Sequence, residues 1–192
     1  AGSQSGSATD AMFALSSRGF GAIELLRDLL PEVAISALAL LTWLGSIPLL
    51  VGLSALVYWY ESREGGAFAL AAVLGAYALT TVLKATFGLP RPPESLWLVG
   101  ASGFGFPSGH AIAATVGWGS LAIVLDRGAR RTRITVAAVV VGIVVVSRVA
   151  IGVHYAIDVL AGLAVGLAYL GVVTWLDDPG RVFGVGAVLA IL

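Results

Sequence analysis

The sequence contains no cysteine. That absence excludes disulfides, thiolate metal sites and cysteine nucleophiles, and it leaves the redox compartment unread. Charge is nearly as scarce. Asp, Glu, Lys and Arg make up 11% of the 192 residues, against about 25% in an ordinary soluble domain. So few charges cannot clothe a water-facing surface, and with 58% hydrophobic residues the surrounding solvent must be largely lipid. Eleven basic residues balance eleven acidic ones, which argues against a nucleic-acid partner, since that wants a basic surface. Methionine occurs once, at Met12, and histidine twice, at His110 and His154. Any imidazole chemistry must therefore use those two rings.

The few charges draw a topology. They cluster at 10–32, 61–64, 84–94, 126–133, 148–158 and 177–181, with nearly uncharged stretches between. A spanning helix needs about 20 apolar residues. The stretches predict spans over 33–60, 66–87, 108–125, 134–148 and 154–176. The first is interrupted at Gly45-Ser46-Ile47-Pro48. It reads as a short outer part followed by a span ending at Tyr58-Trp59-Tyr60, or as one tilted, kinked helix; aromatic rings suit the headgroup boundary. Residues 182–192 are apolar but too few to cross, which suggests a truncated end or a short final half-helix. The expected fold is an all-α, polytopic transmembrane helix bundle of about five to six spans.

Before the first span, Phe20, Ile23, Leu26, Leu29 and Leu30 recur at helical spacing, with Arg18, Glu24, Arg27 and Asp28 between them. This predicts an amphipathic helix over 18–30, lying in the membrane interface or packed on the bundle, and ended by Pro31. Residues 1–10 (AGSQSGSATD) are expected to be a flexible tail or a cloning remnant. Residues 11–192 then form one membrane-embedded domain. Gly162 and Gly166, four apart, permit close helix contact.

Orientation follows from the arginines. Arg127, Arg130, Arg131 and Arg133 fall within eight positions of a connecting segment, and the positive-inside rule makes that segment cytoplasmic. Residues 61–65 and 177–181 share its side. Segments 88–106 and 149–153 then lie outside.

Ionisable groups at membrane boundaries are costly and point to function. Lys84, Arg91, His110, Arg148, His154 and Asp158 all fall at the outer ends of predicted spans. Lys84, Arg91 and Arg148 are three cations with only Asp158 near them in sequence. Such a set wants an anion with several oxygens, and phosphate fits an arginine fork. Pro107-Ser108-Gly109-His110 opens a span, so its backbone N–H groups and the Ser108 hydroxyl would face an anion at a helix N-terminus. Gly109 lets the backbone come close.

His154 and Asp158 are four apart, so they are expected to share a helix face. A carboxylate on one ring nitrogen fixes the tautomer and leaves the other to attack. His110 can then protonate the departing oxygen and activate water. Each residue alone has a plainer reading: Ser108 as a cap, Lys84 as a snorkelling side chain, Arg91-Pro92-Pro93 as a turn, Arg148 as a partner that neutralises Asp158. Those readings do not account for six ionisable groups sharing one side. Zinc is not expected, because two histidines and one carboxylate lack a recognised ligand spacing.

These residues resemble a known family. KATFGLPRP (84–92) is similar to the first signature of the type-2 phosphatidic acid phosphatases: a lysine, six residues, then Arg-Pro. PSGH (107–110) resembles the second, and SRVAIGVHYAID (147–158) the third. The resemblance implies an integral-membrane lipid phosphatase. In it His154 forms a phosphohistidine, Asp158 orients it and His110 serves as acid and base. Lys84, Arg91, Ser108, Gly109 and Arg148 hold the phosphate, with no metal and no cofactor. It implies six spans and a site facing away from the cytoplasm, in agreement with the arginine argument, hence a multi-pass protein of the cell membrane. The chain departs from the family at both ends, where a first span and a full last one are not evident.

The same signatures occur in vanadium-dependent haloperoxidases, which are larger and soluble and have a longer lysine-to-arginine gap. A non-catalytic membrane protein that binds lipid or anion is a further alternative, although pure binding would not need the histidine pair. Polyprenyl diphosphate, phosphatidylglycerophosphate and phosphatidic acid all fit a site at the membrane boundary. Trp97, Phe104 and Phe106, in the outer segment 93–106, would shape a tail entrance or anchor that segment at the interface. The sequence does not set the oligomeric state.

Overall fold

The computed structural model describes Gly19 and residues 21–191. The expected tail over 1–10 lies outside the described residues, as do Arg18 and Phe20 of the amphipathic segment. All regular structure among the described residues is helical. We label the helices α1 (Gly21–Leu29), α2 (Glu32–Leu41), α3 (Ile47–Tyr60), α4 (Arg63–Phe87), α5 (Gly109–Val124), α6 (Arg130–Ala150), α7 (Ala156–Leu176) and α8 (Pro179–Ile191).

Among the described residues three helices, α4, α6 and α7, are long and apolar enough to cross a membrane. A fourth candidate is α2 with the short 3₁₀ turn Thr42–Gly45, followed by α3; the two parts bend by 53° at the break after Gly45. The kink expected at Gly45-Ser46-Ile47-Pro48 is therefore real, with Pro48 in the first turn of α3, where a missing N–H costs nothing. The expected third span is shorter than a full crossing, at 16 residues. The apolar C-terminal segment forms a helix of 13 residues, with Val182 buried against the bundle.

Two other boundaries move. Helix α6 begins at Arg130, so Arg130, Arg131 and Arg133 stand on its first turns and only Arg127 lies in the connection. Positive charge opposes the dipole at a helix N-terminus. Here Asp126 lies 3.7 Å from Arg133, and Glu61 pairs with Arg127. Helix α7 begins at Ala156, two residues after His154.

The bundle is organised around α5. Ten of its residues are buried, mostly Ala, Gly and small polar types. Small side chains let neighbouring backbones close in, which is the source of packing energy where lipid removes the hydrophobic drive between helices. A Cβ on Gly162 would come within 2.7 Å of the Ser108 carbonyl oxygen, and one on Gly166 within 2.8 Å of Thr115 Cβ. These glycines thus set α7 hard against α5. A Cβ on Gly117 would meet Leu50 of α3 at 2.6 Å. Many large apolar side chains point outward, Trp59 (71% exposed) and Trp175 (81%) among them. Lipid, not water, is the medium such a surface suits.

Helix α1 packs on the bundle. Ile23 is fully buried, against Ala111, Val149 and Val159, and Leu26 covers that cluster. Leu25 and Leu29 remain exposed. Arg27, expected on the polar face, turns inward: Nε donates to the Ala150 carbonyl at 3.1 Å and Nη2 to the Leu96 carbonyl.

Candidate active site

The end of each long helix delivers one polar group to a common place. Lys84 lies in the last turn of α4, which Gly88 ends in a left-handed conformation (φ +58°). His110 opens α5, Arg148 closes α6, and Asp158 sits in the first turn of α7. Lys84, Arg91, Gly109, His110, Arg148 and His154 line one cavity of about 570 Å³. Ser108 and Asp158 stand behind it, each with 0% exposure. The structure thus gathers all the residues singled out in the sequence.

The pairing of His154 with Asp158 arises differently from the expectation. His154 is not helical; it precedes α7, in the turn that follows Gly152 (φ +77°). Asp158 Oδ2 accepts from the Tyr155 backbone N–H at 3.0 Å and faces His154 Nδ1 at 3.4 Å. One carboxylate therefore serves both the helix start and the ring. The Asp158 carbonyl also accepts from the Ser108 N–H at 2.9 Å, which ties the second signature to the third.

The ring's other nitrogen, Nε2, lies 3.0 Å from Arg91 Nη1. A guanidinium can only donate and an ionised carboxylate can only accept. The hydrogen therefore sits on Nδ1, and Nε2 carries a lone pair toward the cavity. Burial is the main influence on His154, and it pushes the imidazole pKa down; Arg148 and Arg91 add to this against the opposing pull of Asp158. Both influences favour the neutral ring, which keeps a lone pair on Nε2.

Arg91 is held by backbone carbonyls. Nε donates to the carbonyl of Gly103 (3.1 Å), Nη2 to that of Ser102 (2.9 Å), and Nη1 to that of Val153 (3.0 Å). A Cβ on Gly105 would press within 3.1 Å of Arg91 Cα, so this loop needs a glycine to close. Lys84 Nζ donates to the Phe104 carbonyl at 2.7 Å. A Cβ on Gly109 would meet Thr80 at 2.9 Å, so glycine brings the α5 N-terminus close to α4 beside Lys84. Ser108 occupies the N-cap position of α5 without making a side-chain cap. Its buried hydroxyl has no partner among the described residues.

The aromatic residues of the segment between α4 and α5 divide their tasks. Trp97 Nε1 donates to the Pro92 carbonyl (2.9 Å), and Phe106 meets Phe87 edge-on at 5.1 Å. Both brace the loop. Phe104 lines a second cavity of about 560 Å³ that shares Lys84, Arg91, Ser102 and His110 with the first. Ile47, Tyr77, Thr81 and Ala85 form its other wall, and Tyr77 is 56% exposed.

Three site neighbours escaped the sequence reading. Thr42, Trp43 and Ser46, from the break between α2 and α3, also line the first cavity. Thr42 Oγ1 accepts from Arg148 Nη1 at 3.1 Å. The one signal that could have found them is the break itself, flanked by hydroxyl residues four apart.

Comparison with known proteins gives a consistent picture. Residues 65–179 match the PAP2 superfamily. The chain is 30% identical over 143 residues to phosphatidylglycerophosphatase B of Bacillus subtilis strain 168, covering 71% of this chain and 70% of that one. Its backbone is similar to the crystal structure of the transmembrane PAP2-type phosphatidylglycerolphosphate phosphatase from Bacillus subtilis. The TM-score is 0.76 at 27% identity, over 85% of this chain and 86% of that one. Aquifex aeolicus LpxE shares the fold, with TM-score 0.69 at 20% identity over 81% and 94% of the two chains.

Proposed function

Because the chain belongs to the PAP2 superfamily, we propose that this integral-membrane protein hydrolyses a lipid phosphate or diphosphate ester through a phosphohistidine at His154. The observation that carries this reading is the state of the His154 ring. Nδ1 is committed to Asp158, and Nε2 carries its lone pair into a cavity shared with Lys84, Arg91 and Arg148.

Nε2 attacks phosphorus, the bond from phosphorus to the ester or bridging oxygen breaks, and His110 gives that oxygen its proton. Water then attacks the phosphohistidine, His110 takes a proton from it, and inorganic phosphate leaves. Lys84, Arg91 and Arg148 balance charge as it spreads over the phosphoryl oxygens. The Ser108 hydroxyl and the N-terminal amides of α5, with Gly109 allowing close approach, add donors. Residues 11–192 serve this chemistry as one membrane-embedded domain. The reading takes the reaction as metal-independent. Lys84, Arg91 and Arg148 supply the positive charge.

The lipid tail lies in the second cavity, between Tyr77, Thr81 and Ile47, while the phosphate meets His154. Phosphatidylglycerophosphate is the first substrate to try, given the name of the Bacillus subtilis relative. Phosphatidic acid and polyprenyl diphosphate follow. The arginine-rich end lies opposite the cavity, which supports an extracytoplasmic site in the cell membrane.

The test is phosphate release by purified protein across those three lipids in the presence of chelator. Turnover is expected for at least one and should vanish in His154→Ala. Asp158→Asn should lower kcat by roughly a hundred- to ten-thousand-fold, the cost of a wrong tautomer in other imidazole systems. Full turnover in His154→Ala would refute the nucleophile, and loss of activity with chelator would refute metal independence.

A further inference from the structure

Arg148 is only 5% exposed, so the direction of its guanidinium is decided by what surrounds it. Its Nη1 donates to Thr42 Oγ1 at 3.1 Å, and its Nε has no partner among the described residues. Thr42 is itself 5% exposed and belongs to the 3₁₀ turn that breaks α2 from α3, far in sequence from the three signatures. That turn is fitted closely to the site. A Cβ on Gly45 would lie 3.0 Å from the His110 carbonyl oxygen and 2.7 Å from Val144 Cγ1 of α6. Thr42, Trp43 and Ser46 line the same cavity as Arg148 and His154.

We infer that Thr42 is a positioning residue for the reaction: its hydroxyl fixes the plane of the Arg148 guanidinium so that the remaining N–H groups face the phosphate. The warrant is geometric. An arginine fork recognises a phosphoryl group only when its plane is correctly turned, and a buried guanidinium with few partners has little else to hold it. The residues between α2 and α3 therefore form a wall of the cavity.

The inference rests on the phosphatase reading, so its test uses a probe independent of lipid turnover. Inorganic vanadate binding to the detergent-purified protein is measured for the wild type, Thr42→Val and Thr42→Ser, with melting temperature alongside. Valine keeps the shape and removes the acceptor; serine restores it. A hydrogen bond to a charged group supports an expectation of about 10-fold weaker vanadate binding in Thr42→Val, with Thr42→Ser within about 2-fold of wild type. Lipid kcat should fall in parallel while KM changes little, because the contact acts most where charge has spread. If the valine variant does not fold, Thr42→Ala removes the same acceptor without the added methyl.

Unchanged vanadate binding in the valine or alanine variant overturns the role. So does equal weakening in valine and serine with equal loss of melting temperature, which is the signature of a purely structural threonine. Wild type that binds vanadate but hydrolyses no lipid phosphate overturns the function proposed above and leaves the Thr42 comparison standing.

Discussion

Arg91 and His154 are bonded to each other, Nη1 to Nε2 across 3.0 Å, at the nitrogen that the proposed mechanism uses for attack. A phosphoryl group reaching Nε2 must take the place of that guanidinium contact. The exchange is matched in kind, since a phosphoryl oxygen accepts from Arg91 as the ring nitrogen did. The loop carbonyls of Ser102, Gly103 and Val153 keep the rest of the fork in place meanwhile.

A lysine cannot reproduce this. It keeps the charge but presents a single nitrogen, which cannot bridge the loop carbonyls and the substrate together. Arg91→Lys should lower kcat/KM by roughly 10- to 100-fold, the worth of one or two charge-assisted hydrogen bonds. Phosphate release at varied lipid concentration measures this. Wild-type kinetics in the lysine variant would mean that only charge matters at position 91.

The His154 ring should stay neutral through the physiological range. Its pKa is held below the ordinary value of 6.5, first by burial and then by Arg148 and Arg91. In nitrogen-15 spectra of His110→Asn protein, where His154 is the remaining histidine of the sequence, the ring should show one protonated and one bare nitrogen from pH 8 down to pH 5. A doubly protonated ring at pH 6 would contradict the site as drawn. The sign for stability follows. The unfolded chain accepts a proton on this ring below about 6.5, whereas the folded chain resists it, so His154 costs stability as the pH falls below that value.

The sequence made much of this site legible because the chemistry is carried by residues that lipid penalises. Lys84, Arg148 and Asp158 stood out for being ionisable at span ends, and lipid tolerates such a set on one side only where the groups meet a common ligand or one another. The connection between His154 and Asp158 was legible in its partners but not in its form. A spacing of four suggests a helix face, whereas a carboxylate in the first turn reaches back to a residue before the helix just as well. Helix lengths were less legible. Apolar composition marks what lipid can surround, but α5 is walled by protein and needs no full-length apolar surface. Arg27 misled for a similar reason: a charge on an amphipathic helix reads as water-facing until carbonyls at Ala150 and Leu96 turn it inward. Thr42 was invisible because a hydroxyl in an apolar run carries no pattern until its partner is known.

Gly162 tests how far packing sets the chemistry. Its missing side chain lets α7 approach the Ser108 carbonyl, and the Ser108 N–H in turn bonds the Asp158 carbonyl. A methyl group there would meet the Ser108 oxygen at 2.7 Å and Ala111 Cβ at 2.9 Å. Gly162→Ala should cost about 1–3 kcal/mol of stability by overpacking and should lower turnover, since α7 carries Asp158. Gly171→Ala, on the same helix with nothing within 4 Å of an added Cβ, should do neither. Thermal unfolding in detergent and phosphate release distinguish the two; equal behaviour of both variants would show that the α5–α7 contact is not what holds the site.

Orientation can be decided with two cysteine variants, because the sequence contains no cysteine to interfere. Ser95 lies exposed in the segment between α4 and α5, on the short turn Glu94–Leu96 near Trp97. That segment carries Arg91 and forms part of the site wall, so its side of the membrane is the side of the reaction. Arg127, Arg130, Arg131 and Arg133 stand at the opposite end of the bundle, and the proposed orientation puts that end in the cytoplasm. A Ser95→Cys variant should react with a membrane-impermeant thiol reagent on intact cells, or on spheroplasts where an outer membrane would block access. An Arg127→Cys variant should react only after lysis. The reverse pattern would put the phosphate site in the cytoplasm and require lipid phosphates of the inner leaflet as substrates.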